Sequence, residues 1–240
     1  MPELTCTFEP SSPHNGSESA WTLLACRDQA VVGRVELHLN TGARHPRHWY
    51  HLGTVVHAAP DLGINHRQPT LQLGNDLTGA AELHGLRCEP GVAGAAEQAA
   101  VLDALIDAAL VWLARQPAPP ARVFAELPGN CDAQGLPPFW QGLGQHFFPY
   151  TPAQAERKFG PVWTQEVAAL LPRHPLLLSF LSEAAQAAVS ACAPQCRAQA
   201  EALSRHGLLP GQHIGVIDGG PVHEAWLAAL PACRRASTPA

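Results

Sequence analysis

The sequence predicts a mixed α/β fold, a twisted sheet crossed by one long helix and followed by a helical segment. Three observations carry that reading. Residues 70–126 run strand, glycine loop, helix, strand, the order of a crossover between neighbouring strands of one sheet. The first third alternates apolar and polar residues, as half-buried strands do. The last third breaks into short stretches with helical spacing.

The elements follow in order. "ELTCTFEP" reads as a short strand and "SSPHNGSESA" as a polar loop. "AWTLLACRDQAVVGRVELHLN" reads as two strands around a turn at Asp28–Gln29. "TGARHPRHWYH" is a histidine-rich loop, and "LGTVVHAA", "PTLQLGN" and "AELHGLRCE" are short strands. Between Gly94 and Gln116, Ala95, Ala99, Leu102, Ile106, Ala109 and Leu113 recur at helical spacing, with Asp103 and Asp107 opposite. "PAPPA" ends that helix, because proline removes a donor and clashes with the preceding turn. "RVFAEL" is the next strand, and "PPFWQGLGQHFF" a short helix with an aromatic face. "PVWTQEVAALL", "SEAAQAAVSA" and "PQCRAQAEALSRHG" are helical, and "QHIGVIDGGP" is a strand and a turn.

Composition sets bounds. The 240 residues are 46% hydrophobic, enough for one large core. The expected layout is a core over 1–150, a helical and strand extension of the same domain over 151–230, and a disordered tail over 231–240. A net charge of −5 argues against a sequence-independent grip on nucleic acid. No apolar run is long enough to span a bilayer, so no membrane role is expected. The N-terminus lacks the apolar stretch of a signal peptide. Seven scattered cysteines without a CxxC point to reduced thiols in a cytoplasmic protein.

The glycine loop is the first chemical signal. "GVAGAAEQ" opens the long helix, whose first N–H groups lack partners within the helix. Together with the helix dipole they favour an anion there. Gly91 and Gly94 would let a pyrophosphate approach the backbone. An ordinary strand-to-helix turn has the same composition, so spacing alone leaves both readings open.

The blocks "LGNDLTGAAEL", "PPFWQGLGQHFF" and "DGGP", with "HLGTVVHAAPDLGINHRQPTLQ", "RHPLLLSFLSEAAQ" and "GVIDGGPVHE" around them, resemble the arginine N-succinyltransferase family. That family belongs to the GNAT acyltransferase superfamily. The resemblance runs from about Trp49 to Glu224. It implies a GNAT-like sheet and transfer of an acyl group from acyl-CoA to an amino group. Succinyl-CoA and arginine are the family's pair, with acetyl-CoA as another donor. It also implies a small-molecule substrate, and a homodimer or a heteromer with a related chain would fit. A non-catalytic subunit or regulator, or a binding module for CoA or an amino acid, is the alternative. Three departures mark this chain. The two helices that normally follow the first strand are replaced by "SSPHNGSESA". Gly91 stands where the CoA loop should carry a basic or amide residue. The sequence ends soon after "DGGPVHE", where family members continue with a further small domain.

The chemistry that the resemblance implies needs few groups, and the chain offers candidates for them. Glu82, Glu126 and His57 are the catalytic candidates, Glu82 first, as general base or ammonium anchor. An exposed strand carboxylate is the plainer reading of Glu82, and a structural histidine that of His57. Asn75, Asp76, His84 and Trp140 are substrate-binding candidates; Asp76 could pair with a guanidinium or cap a turn. Leu86, Arg87 and Cys88 would lie along the CoA pantetheine, and the backbone of Val92, Ala93, Gly94, Ala95 and Ala96 would face its pyrophosphate. Glu82, Glu126 and Asp76 are expected to converge on one cleft. His45, His48 and His51 lie three apart, but no local cysteine or carboxylate joins them and Pro46 prevents a regular helix, so no metal is expected.

Overall fold

The computed structural model describes residues 4–12 and 17–236. Strands β1 (Thr5–Ser11), β2 (Ser19–Arg27) and β3 (Ala30–Leu39) form an antiparallel meander. Asp28 and Gln29 turn β2 into β3 with positive φ, as a tight hairpin requires. β1 pairs directly with β2, and the stretch from Ser11 to Ser19 is too short for a pair of helices; residues 13–16 lie outside the described residues.

β4 (Trp49–Ala59) and β5 (Ile64–Gly74) form one long hairpin rather than two short strands. Its outer half is exposed on both strands, so polar residues such as "NHRQ" extend there without burial. β6 (Ala81–Cys88), helix α1 (Ala95–Ala114) and β7 (Arg122–Glu126) make the expected crossover, with β6 and β7 parallel. Short helices follow: α2 (Pro138–Gly142), α3 (Pro152–Phe159) and α4 (Trp163–Val167). Thr151 and Gln154 close a reciprocal cap on α3, a helix the sequence reading passed over. The two-residue β8 (Leu176–Leu177), α5 (Glu183–Ala188) and α6 (Arg197–Arg205) precede β9 (Leu209–Ile214) and β10 (Pro221–Trp226). β10 was also unforeseen.

The tail differs from expectation. Pro231–Ala236 is helix α7, and Ala232 and Cys233 are buried in the α1 core. Residues 237–240 lie outside the described residues.

The described residues form one mixed sheet of ten strands in the order β1-β2-β3-β6-β7-β10-β9-β4-β5-β8. α1 buries Leu102, Leu105, Ile106 and Leu113 against Leu23, Val35, Leu37, Leu83 and Val123 on one sheet face. This apolar burial is the main source of stability. On the row through Glu82, Phe124 and Glu224, register partners across three strands, side chains point the other way. Loops 40–48 and 75–80 cover that second face. They are stitched together: Thr41 N–H donates to Ala80 at 3.1 Å and Gly79 N–H to Thr41 at 2.9 Å. Trp49, Leu77, Ala80, Phe124 and Val222 form the small core beneath them.

Candidate active site

Pairing between β6 and β7 covers only Ala81–Val123 and Glu82–Phe124. Beyond it β6 runs on to Cys88 while β7 stops at Glu126, so the strands part. A cavity of about 230 Å³ lies in the splay, lined by His84, Leu86 and Arg87 on one side and Glu126, Leu127 and Pro128 on the other. "DGGP" secures the β7 end. Asp218 accepts from Gly129 N–H at 2.8 Å and from Gly220 N–H at 2.9 Å. A Cβ on Gly220 would stand 2.2 Å from the Leu127 carbonyl, so only glycine lets these segments interlock.

Glu82 is 1% exposed and Glu126 27%, and both bind Arg47. One guanidinium nitrogen donates to Glu82 at 2.5 Å and another to Glu126 at 2.7 Å. The guanidinium sits 5.0 Å from the Trp49 ring centre, a cation–π contact. The Trp49 indole N–H donates to the same Glu126 oxygen at 2.9 Å. Burial alone would raise the Glu82 pKa, but Arg47, His84 and His38 together hold it at about 2. Glu126 moves the other way: burial raises it, Arg47 opposes, and the Glu82 charge adds to the rise.

His84 Nδ1 lies 3.3 Å from Glu82 Oε1, and its ring stacks on the buried His38 at 5.1 Å. The hydrogen bond to Glu82 raises the His84 pKa above its ordinary value, against the effect of burial. A second cavity of about 200 Å³ is lined by Arg47, His48, His84, Glu126, Thr164 and Ile217. His84 and Glu126 therefore line both cavities.

The other candidates separate. Asp76 does not join Glu82 and Glu126 but faces His213 Nε2 at 3.3 Å. His213 Nδ1 in turn meets Glu224 at 2.9 Å, which also binds Arg122. Asn75 lies exposed in the same turn. His57 is on the exposed hairpin, stacked on His66 at 5.1 Å. Eight residues of strand put it roughly 26 Å along from Trp49, too far to serve as the base. Trp140 is fully buried, bonds to the Tyr150 carbonyl at 3.1 Å and packs edge-on against Trp163. It is a core residue, not a substrate contact. The three histidines go separate ways: His45 is exposed, His48 meets Arg173, and His51 meets Gln212.

At the loop, Gly91 and Gly94 adopt φ of 109° and 87°, which glycine tolerates best. Ala93 N–H donates to Glu97 at 3.2 Å, and Glu97 pairs with Arg27. Ala95 and Ala96 are exposed at the helix start, and Val92 packs partly on the core. Leu86 is buried at the splay, Arg87 is exposed, and the Cys88 thiol points to the Gln98 carbonyl instead. Arg47, Trp49, His38 and Asp218 were not anticipated. Two acids facing one buried space require a cation, and that need was the available signal for Arg47.

No helix among the described residues is long and apolar enough to cross a membrane. Comparison with known proteins gives a consistent relationship. A Yersinia pestis (strain Pestoides F) protein named arginine N-succinyltransferase is 33% identical over 200 residues, covering 82% of this chain and 55% of that protein. A Citrobacter koseri protein of the same name is 31% identical over 206 residues, covering 86% and 59%. The chain thus spans little more than half the length of these relatives. The structure of arginine/ornithine succinyltransferase subunit AI from Pseudomonas aeruginosa shares the fold, with a TM-score of 0.73 at 24% identity, over 93% of this chain and 64% of that one. The family profile described as arginine N-succinyltransferase beta subunit matches residues 7–232, so the splayed strands, the acid pair and the glycine loop all fall within it, and the chain belongs to that family.

Proposed function

We propose that the chain is an acyl-CoA-dependent N-acyltransferase, with succinyl-CoA or acetyl-CoA as donor and arginine or a related amino compound as acceptor. The observation that carries this reading is the meeting of two cavities at His84 and Glu126. The splay has the position for a thioester, and the neighbouring cavity has room for the amine. Direct transfer between them needs one proton-handling group at the junction.

His84 takes that role. Glu82 meets its Nδ1 and fixes the ring beside both cavities, where the imidazole takes the proton from the acceptor ammonium. The freed amine attacks the thioester carbon, the C–S bond breaks, and the leaving thiolate takes up the second proton that the nitrogen sheds as the amide forms, while His84 returns the first to solvent. Glu82, expected from sequence as general base or ammonium anchor, is too weakly basic at about 2 for the first role and positions His84 instead. Glu126 lies across the same junction and offers the cationic acceptor a carboxylate. The backbone of Val92–Ala96 holds the pyrophosphate, and Leu86 and Arg87 flank the pantetheine. A homodimer or a complex with a related chain is the assembly we infer, in the cytoplasm.

Thiol release from succinyl-CoA and acetyl-CoA with arginine, ornithine and lysine tests the activity. His84→Gln should lower kcat by about 10²–10⁴-fold while acceptor binding by calorimetry persists. Ala96→Glu should weaken CoA binding without loss of stability, because an acid at a helix start suits the helix but repels a phosphate. No thiol release above the buffer rate with any pair would overturn the proposal.

A further inference from the structure

We propose that Glu82, Glu126 and the Trp49 ring form a guanidinium-recognition site for the acceptor, and that Arg47 is a built-in stand-in that must withdraw before the acceptor binds. The word acceptor rests on the acyl-transfer reading; the recognition itself does not.

The site is matched to a planar fork. Two guanidinium nitrogens reach two different carboxylates, and the cation lies near the indole ring. An ammonium is a point charge and cannot span the pair in that way. The occupant also comes from a loop. Arg47 belongs to the loop between β3 and β4, not to a strand, and residues 43–46 before it are exposed. Its side chain lines the 200 Å³ cavity that His84 and Glu126 share, so the space it would vacate adjoins an existing void.

The energetics favour exchange over simple opening. Withdrawing Arg47 alone strands the buried Glu82 carboxylate and the half-buried Glu126, which is strongly unfavourable. Replacing one guanidinium by another leaves every charge paired. A guanidino acceptor can therefore open the site where an ammonium acceptor cannot. Glu82 Oε1 keeps its contact with His84 throughout, since Arg47 uses Oε2. The acceptor would be held by the same carboxylate that positions the base. Self-occupancy reduces apparent affinity by the fraction of open protein.

Calorimetry with L-arginine, L-lysine and guanidinium chloride tests this on the full chain. Arg47→Ala should bind arginine at least about tenfold more tightly than wild type, and at least about tenfold more tightly than it binds lysine. Adding Glu82→Gln to that variant should abolish the preference. Where Arg47→Ala does not fold, Arg47→Lys takes its place, since lysine keeps a charge but bridges the acids poorly; it too should bind arginine more tightly than wild type. Arginine binding no tighter than wild type in the folded variant, or equal binding of arginine and lysine, overturns the inference. Thiol release is measured alongside. Arginine binding as expected without turnover sinks the acyl-transfer reading alone, and turnover without the arginine preference sinks this one alone.

Discussion

The Glu97 carboxylate reaches back over the start of α1 and accepts a hydrogen bond from Ala93 N–H at 3.2 Å. The protein thus places an acid of its own at the loop proposed for the CoA pyrophosphate. Arg27 balances it from β2.

Glu97→Gln should therefore strengthen CoA binding. It removes a negative charge near the phosphates and leaves Arg27 facing them. The expected gain is roughly 2–10-fold at low salt, shrinking as salt screens the site. Titration of CoA at two salt concentrations checks it. An unchanged affinity at low salt means the pyrophosphate does not lie at this loop.

Glu82 sets an acid limb of stability. Its folded pKa, about 2, lies below its ordinary 4.5, so its stabilising effect is present above 4.5 and is lost as pH falls toward 2. Glu82→Gln should cost about 3–5 kcal/mol at neutral pH, because it breaks a buried pair. The variant should also lose part of that acid limb. Urea unfolding across pH 2–7 provides the comparison. Parallel limbs in both proteins would refute the assignment.

The rate should carry a rising limb set by His84. As a base it must be neutral, and Glu82 raises its pKa above 6.5, so kcat/KM should climb through a pH higher than that. In Glu82→Gln the limb should move toward acid, since the group that raises the pKa is gone. A limb that stays in place assigns the titration to another group.

Trp140 should matter for folding and not for the acceptor. Trp140→Ala should cost about 3–5 kcal/mol. Any protein that remains folded should keep its KM for the acceptor. A selective rise in KM without loss of stability would restore the substrate-contact reading.

The fold was legible where the pattern was local. Alternation marked β2 and β3, apolar spacing marked α1, and the glycine loop marked the crossover that parts β6 from β7. The acids Glu82 and Glu126 were legible because they end up beside that splay. Arg47 was not, because it comes from a loop whose histidines suggested other chemistry. Asp76 misled for the complementary reason. Its turn lies just before Glu82 in sequence, but its partner His213 comes from β9, near the other end of the chain. Trp140 looked available because an aromatic pair in a short helix reads alike whether it lines a cavity or fills a core.

The position of β9 and β10 has a consequence for synthesis. They are the last two strands of the described residues, yet they sit in the middle of the sheet, between β7 and β4. As the nascent chain emerges, β7 and β4 each present an unpaired edge until β9 and β10 follow. Two partial sheets must then wait side by side for the strands that weld them. A ribosome stalled before Leu209 would hold both open edges at once, the state most exposed to pairing with a neighbouring nascent chain.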